Sequence, residues 1–326
     1  MTFTKSNELV VPEGLDGERL DLAAAALLPE YSRSRLQQWI KQGSLRFEGQ
    51  VKRARDKVFA GGVISLDGHF SDEVIWQPQS IDLDIVSEDS SIIVVNKPMG
   101  MVVHPAAGHQ DGTLVNALLN HSPALAKIPR AGIVHRLDKD TTGLLVVAKT
   151  LESHKSLVAQ IQSKTIDRQY CALCVGVMTG GGTVNEQIGR HPRNRKKMSV
   201  VQRGGKSSVT HYRVTHRFKH FTQISVSLET GRTHQIRVHM SYIGYPILGD
   251  KTYGGKASYI SGTSQRLIDM LHPFDRQALH AQKLTFKHPK DERIVSYEAA
   301  IPSDFEKLLI LLQAEDSANL ECRDDN

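Results

Sequence analysis

The sequence predicts an α+β protein whose main body is a large mixed, mostly antiparallel sheet, preceded by a small α/β module. Three observations lead there. Short β-branched apolar runs recur, and two of them, 91–96 (SIIVVN) and 143–148 (GLLVVA), read as strands buried on both faces. Further strand patterns at 81–86, 169–177, 211–216, 221–228, 279–286 and 295–299 meet only three helical patterns, at 114–120, 153–163 and 233–243. Regular βαβ alternation is therefore not expected. Finally, residues 14–75 read as helix, helix and small strands, too little core for a whole enzyme but enough for an accessory module.

The elements of that module follow in order. Residues 19–28 (RLDLAAAALL) form a short Ala/Leu-rich helix that Pro29 stops. Ser32 can cap a second helix over 33–42, and Gly43 supplies its C-terminal break. Strands follow at 45–47 and 63–66, with a turn at 48–50. The polar, Pro-containing stretch 68–80 reads as a linker. The organisation expected is a tail over 1–13, the module over 14–75, the main domain over 76–302 and an acidic tail over 303–326, mobile from about 314.

Composition narrows the class. Over 326 residues, 40% are hydrophobic and 23% charged, which suits a folded chain and excludes a disordered or collagen-like one. Three Cys exclude a disulfide framework and point to a reducing compartment. The sequence shows neither an apolar run long enough to span a membrane nor an apolar signal region at its start, so a cytoplasmic protein without a membrane partner is expected. The formal net charge is +6, unevenly spread. Residues 31–57 hold eight Lys/Arg against two acids, and 185–220 hold ten against one, whereas 303–326 hold two against seven. Two basic blocks in a balanced chain suggest a polyanion partner. The candidate phosphate contacts are Arg33, Arg35 and Lys41 in the first block and Arg193, Arg195, Lys196 and Lys197 in the second.

The segment 132–150 (GIVHRLDKDTTGLLVVAKT) feeds a polar loop into a buried strand. A carboxylate on such a loop is rigidly held, and Asp138, between Arg136 and Lys139, can serve as nucleophile or base. The alternative is ordinary turn chemistry, with Asp and Thr bonding the backbone. In 228–250 (LETGRTHQIRVHMSYIGYPILGD), Thr233 can cap a helix that Gly244 ends. His234, Arg237 and Ser241 share one face of that helix. Arg237 can grip a carboxylate from elsewhere in bidentate fashion, or be a plain surface charge. Tyr170 opens a strand and can keep its hydroxyl for chemistry or simply fill core. No metal site is expected: His234 and His239 are five apart, and Cys171 and Cys174 lack a second pair. Neither a P-loop nor a G-x-G-x-x-G is present, so no nucleotide cofactor is expected.

HRLDKDTTG (135–143) strongly resembles the catalytic signature of the RluA-type family of RNA pseudouridine synthases. SEDSSIIVVNKPMGMVVHP (87–105), RQYCALCVG (168–176), ETGRTHQIRVHMSYIGYPILGD (229–250) and LHA (279–281) resemble the same family. The module resembles the S4 RNA-binding domain through ERLD (18–21) and YSRSRLQQWIKQG (31–43). The resemblance implies the family's mixed-sheet catalytic domain, no cofactor and no metal. It implies that Asp138 is the catalytic aspartate, Tyr170 stacks on the target base, Arg237 pairs with the aspartate and Arg136 enters the RNA in place of the flipped base. Thr142 departs from the Ser of many members and keeps a hydroxyl. The implied partner is 23S ribosomal RNA or a large-subunit precursor particle, with uridines clustered in one hairpin loop (helix 69). Nothing in the sequence demands a dimer, so a monomer is expected. The alternative is a non-catalytic RNA-binding factor of ribosome assembly.

Overall fold

The computed structural model describes residues 7–28, 31, 33–66, 76–105, 110–254 and 264–324. The chain forms two compact units, 1–75 and 76–326, each with its own apolar core.

In the first unit, β1 (Asn7–Val10) precedes α1 (Leu20–Leu27), α2 (Arg33–Gln42), β2 (Leu45–Phe47) and β3 (Val63–Leu66). The strands pair antiparallel in the order β1-β3-β2. Leu36 and Ile40, four apart on α2, are buried with Leu20, Leu45 and Ile64 in one cluster. The helix α2 has the limits expected, and Gly43 leaves it with φ 78°. Pro29 and Ser32 lie outside the described residues. The tail expected over 1–13 is corrected at its end, because Asn7–Val10 pair with Val63–Leu66 and Val11 is buried. Four residues carry little period, and their partner lies far along the chain.

The second unit carries β4 (Ile85–Glu88), β5 (Ile92–Lys97), α3 (Leu114–His121), β6 (Thr142–Ala148), α4 (Leu151–Gln162) and β7 (Asp167–Val175). It continues through β8 (Gly182–Asn185), β9 (Ile188–Arg190), β10 (Met198–Val200), β11 (Val209–Arg217), β12 (Phe221–Leu228) and α5 (Gln235–Tyr242). It closes with α6 (Gln265–Leu271), β13 (Leu279–Lys287), β14 (Ile294–Glu298) and α7 (Ser303–Asp324). Nine described strands make one sheet in the order β4-β5-β6-β13-β7-β12-β11-β8, with β14 on β13. Of its described pairings only β6–β13 is parallel, so the fold is α+β with a mixed, mostly antiparallel sheet. Every residue of β6 is buried, which explains its unbroken apolar run. Gly143 opens the parallel pairing at φ 113°, and a Cβ there would lie 2.3 Å from the Ala281 carbonyl oxygen. The loop carrying Asp138 therefore enters the sheet where only glycine fits.

Two further expectations change. The acidic tail over 303–326 is instead α7 as far as Asp324, with Phe305, Leu308, Leu309, Leu311 and Leu312 buried in the main core. Asp304 starts it by taking the Arg276 fork at 2.7 and 2.8 Å and the Phe305 N–H at 2.8 Å. Thr233 does not cap α5. His234 occupies that place in the left-handed region (φ 57°), and Gln235 Oε1 accepts the Arg232 N–H and the Thr230 hydroxyl. Gly244, at φ 87°, does end α5. Of the linker 68–80, residues 68–75 lie outside the described residues, and 76–80 have no regular structure.

Candidate active site

The loop 135–141 is held from both ends. His135 Nε2 accepts the Val146 N–H of β6 at 3.1 Å, and burial, with Arg168 nearby, pushes this imidazole down to about 3. The Thr141 N–H closes a turn onto the Asp138 carbonyl at 3.1 Å, while Gln277 donates to the Thr141 hydroxyl at 3.0 Å. The Thr142 hydroxyl faces His280 Nδ1 at 2.9 Å. Beneath the loop lies Lys97, among the largest fully buried side chains. Its Nζ donates to the carbonyls of Pro98, Met101 and Lys139 at 2.7, 3.0 and 2.9 Å, matching the three N–H of an ammonium. Burial pulls its pKa down to about 7, against the attraction of Asp140 and Asp138.

Arg237 projects from α5 with its side chain 8% exposed. Its Nε and Nη2 grip Asp250 at 2.7 and 2.9 Å, and its Nη1 donates to Asp138 Oδ2 at 2.9 Å. Burial opposes the guanidinium charge, yet the bonds to Asp250 and the field of Asp138 raise its pKa further. Burial likewise opposes ionised Asp250, but Arg237 and the N–H groups of Thr252 and Tyr253 hold its pKa low. The bidentate partner anticipated from the sequence is thus Asp250, and Arg237 bridges it to Asp138.

A second line reaches Asp138 from the other side. The Tyr253 hydroxyl accepts the Met198 N–H at 2.8 Å and lies 2.7 Å from His234 Nδ1. The other ring nitrogen, Nε2, lies 4.0 Å from Asp138 Oδ1. Burial lowers the His234 pKa, against the pull of Asp138, so the neutral form holds at pH 7. Met198 begins β10, so the basic hairpin β9–β10 is tied to the site through one tyrosine.

Tyr170, on β7, is 6% exposed and paired in register with Ala281 and Val226. Burial raises its pKa, so it is a neutral phenol at pH 7. Asp138, Tyr170, Arg237, Arg136 and Arg168 line one cavity of about 50 Å³. That is room for one or two waters, with the exposed Arg136 among its lining residues. The structure thus assembles Asp138 and Arg136 of one loop, Tyr170 of β7 and Arg237 of α5 from three places in the chain. It adds Asp250, Tyr253 and Lys97, which the sequence did not single out, and brings His234, noted beside Arg237 on its helix, near Asp138.

The expected phosphate contacts divide. Arg193, Arg195 and Lys196 are exposed on the β9–β10 hairpin. Lys197 is not, since its Nζ donates to the Thr252 carbonyl at 2.6 Å. In the first unit, Arg33 joins Arg19 and Gln37 around the fully buried Asp21, with its own side chain still 45% exposed. The Arg35 guanidinium lies over the Trp39 ring, 5.1 Å from its centroid. Lys41 is exposed and lines a groove of about 590 Å³ with Arg19, Lys52, Arg53 and Arg55. Arg53 and Arg55 are the exposed cations there that the sequence left unassigned.

Residues 91–242 match the RNA pseudouridylate synthase family. The ribosomal large subunit pseudouridine synthase D of Pseudomonas aeruginosa is 54% identical over 94% of this chain and 96% of its own length. The chain belongs to the RNA pseudouridylate synthase family. It is an RNA pseudouridine synthase, an isomerase of uridine in RNA. The protein of the same name from Xylella fastidiosa is 50% identical over 96% of this chain and 94% of its own. The human RNA pseudouridylate synthase domain containing 4 shares the fold at a TM-score of 0.55, with 26% identity over 70% of this chain and 92% of that one. The matched segment contains every residue of the Asp138–Arg237 pair and Tyr170, whereas Asp250 and Tyr253 lie just beyond it.

Proposed function

We propose that this synthase converts uridines of large-subunit (23S) ribosomal RNA to pseudouridine, with the loop of helix 69 as target, on free rRNA or on a precursor particle. The reaction breaks the N1–C1′ bond, rotates the uracil, forms a C5–C1′ bond and releases the C5 proton to water. Nothing is oxidised or reduced. Asp138 carries the chemistry. Attack at C1′, addition at C6 and removal of a ribose proton all need a carboxylate at this place. The single observation that carries the reading is the Arg237 bridge, which fixes one oxygen of Asp138 against Asp250 in the cavity that Tyr170 lines.

Tyr170 stacks on the flipped uracil, worth about 1–3 kcal/mol, against the few kcal/mol that unstacking costs. Arg136, exposed at the rim, fills the place the base leaves. Residues 14–75 act as an S4-like RNA-binding domain through the groove of Lys41, Lys52, Arg53 and Arg55, and Arg193, Arg195 and Lys196 add contacts from the hairpin. The protein works as a cytoplasmic monomer.

The test is tritium release. Large-subunit rRNA carrying tritium at C5 of uridine is incubated with the protein, as free rRNA and as precursor particle. Release into water, with pseudouridine mapped to the helix 69 loop, is the expected result. Tight binding to both without release would make the chain an assembly factor instead.

A further inference from the structure

A second and larger cavity adjoins the catalytic pocket. Its volume is about 740 Å³, and the two share Arg136, Arg168, Gly231 and Arg232 in their walls. The isomerisation itself gives this space no role. One wall is apolar and aromatic, with Trp76 standing edge-on to His104 at 6.1 Å between centroids, beside Ile133 and Ile161. The remainder is cationic, with Arg130, Arg136, Arg168 and Arg232 against a single acid, Glu229. That acid is already engaged by Lys164 at 2.7 Å and His211 at 2.9 Å.

Among the described residues, three in these walls carry buried polar atoms without a partner: His104 Nε2, His135 Nδ1 and Arg168 Nε. Two of them are donors by necessity. His135 Nε2 accepts from Val146, so its proton sits on Nδ1, and an arginine Nε only donates. Arg168 is itself 5% exposed. Buried donors left unmatched are uncommon and ask for an acceptor. The backbone here is also unusual: Arg130 and Ala131 stand consecutively in the left-handed region at φ 56° and 51°, before Gly132 at φ 79°. Non-glycine residues keep that conformation only where their surroundings impose it, and here it sets Arg130 in the wall of the cavity.

An acceptor-rich, flat, partly apolar ligand carrying negative charge at its edge fits such a place, and a nucleotide has that chemistry. We propose that this cavity receives a second base of the substrate RNA, that of the nucleotide adjoining the target uridine, drawn from the stack together with it. The proposal rests on the reading of the chain as an rRNA synthase and deepens it. The base lies against Trp76 and His104, the linking phosphate meets Arg130 or Arg136, and the buried donors of His135 and Arg168 gain an acceptor as the wall shifts to admit the base. A phosphate alone would leave most of this volume and the apolar wall unused.

The test uses the full chain and an RNA hairpin whose uridine the wild-type protein converts. The same hairpin is made with an abasic ribose 5′ or 3′ of the target. One of the two abasic RNAs is expected to lose about tenfold or more in kcat/KM with wild-type protein. Trp76→Ala and His104→Ala should lose a similar factor on the intact hairpin, with melting temperatures confirming that they fold. Combined with that abasic RNA, the variants should lose little more, because base and pocket are one interaction. Full conversion of both abasic RNAs would overturn the subsite using wild-type protein alone, while leaving the synthase reading in place. Losses that multiply when combined would overturn it as well. If the wild-type protein makes no pseudouridine in the intact hairpin or in rRNA, the synthase reading fails first and the subsite falls with it.

Discussion

The catalytic pocket and the groove of the small unit both depend on arginine, and they use it in opposite ways. Arg237 has its side chain 8% exposed and three of its nitrogens committed to Asp250 and Asp138. Arg53, in the groove, has a side chain 92% exposed and only a 3.4 Å approach to Asp56. A charge that must place a carboxylate to a fraction of an ångström is buried, forked and counterbalanced. A charge that must attract a backbone of any sequence is left to water and is screened by salt. Changes in the first region should therefore act on kcat, and changes in the second on KM and its dependence on salt.

The strongest way to break that contrast is Arg237→Lys. A lysine keeps the charge but has no fork, so Asp138 and Asp250 can no longer both be held. A loss on the order of 10²-fold in kcat/KM is expected in single-turnover assays, with RNA affinity nearly unchanged. A loss confined to KM would erase the distinction between the two regions.

Asp21 brings the buried style of ion pairing into the small unit. Burial opposes its charge, but Arg33, Gln37 and Arg19 bring its pKa down to about 2. A carboxylate depressed on folding contributes stability above its unfolded value near 4 and loses it as pH falls toward 2. Asp21→Asn should lower the stability of this unit at pH 7 by about 2 kcal/mol and flatten its dependence on pH between 4 and 2. The chain's two tryptophans are Trp39 and Trp76, so Trp39 fluorescence in a Trp76→Phe background reads this during urea unfolding. An unchanged pH profile would refute the buried-pair account.

The groove should behave differently. Replacing Lys52, Arg53 and Arg55 together by Gln is expected to raise KM about tenfold at physiological salt, and to flatten the plot of log KM against log salt by about 2. The kcat should stay as it was. The smallest effect belongs to Tyr253→Phe, which removes the hydroxyl that faces His234 Nδ1 and accepts the Met198 N–H. A fall of about threefold to tenfold in kcat is expected, with the acid limb of the pH–rate profile displaced. An unmoved profile would show that the Tyr253–His234 line is structural only.

Legibility in the sequence followed the range of the interactions. The strand β6 was plain because burial on both faces leaves an unbroken apolar run. Helix α2 was plain because its apolar positions keep helical spacing and a glycine ends it. Strand β1 was hidden because its only merit is a distant partner, β3. The strands β8, β9 and β10 span only three or four positions, with glycine in the first two, and carry no period. Helix α7 was misread from its charge, although Phe305, Leu308, Leu309 and Leu312 stand at helical spacing. In the site, Asp138 and Arg237 stood out as residue types in telling places. Asp250, His234 and Tyr253 matter through bonds formed only after folding, as does the pairing of Arg33 with Asp21, twelve residues back.

The central claim is that Asp138 performs the chemistry while the exposed cations hold the RNA. The most direct measurement is Asp138→Asn under single turnover at saturating rRNA, with pseudouridine read by mass spectrometry and affinity by filter binding. The account expects wild-type affinity and a rate reduced by at least about 10⁴-fold. Pseudouridine formed at an undiminished rate by Asp138→Asn would contradict it.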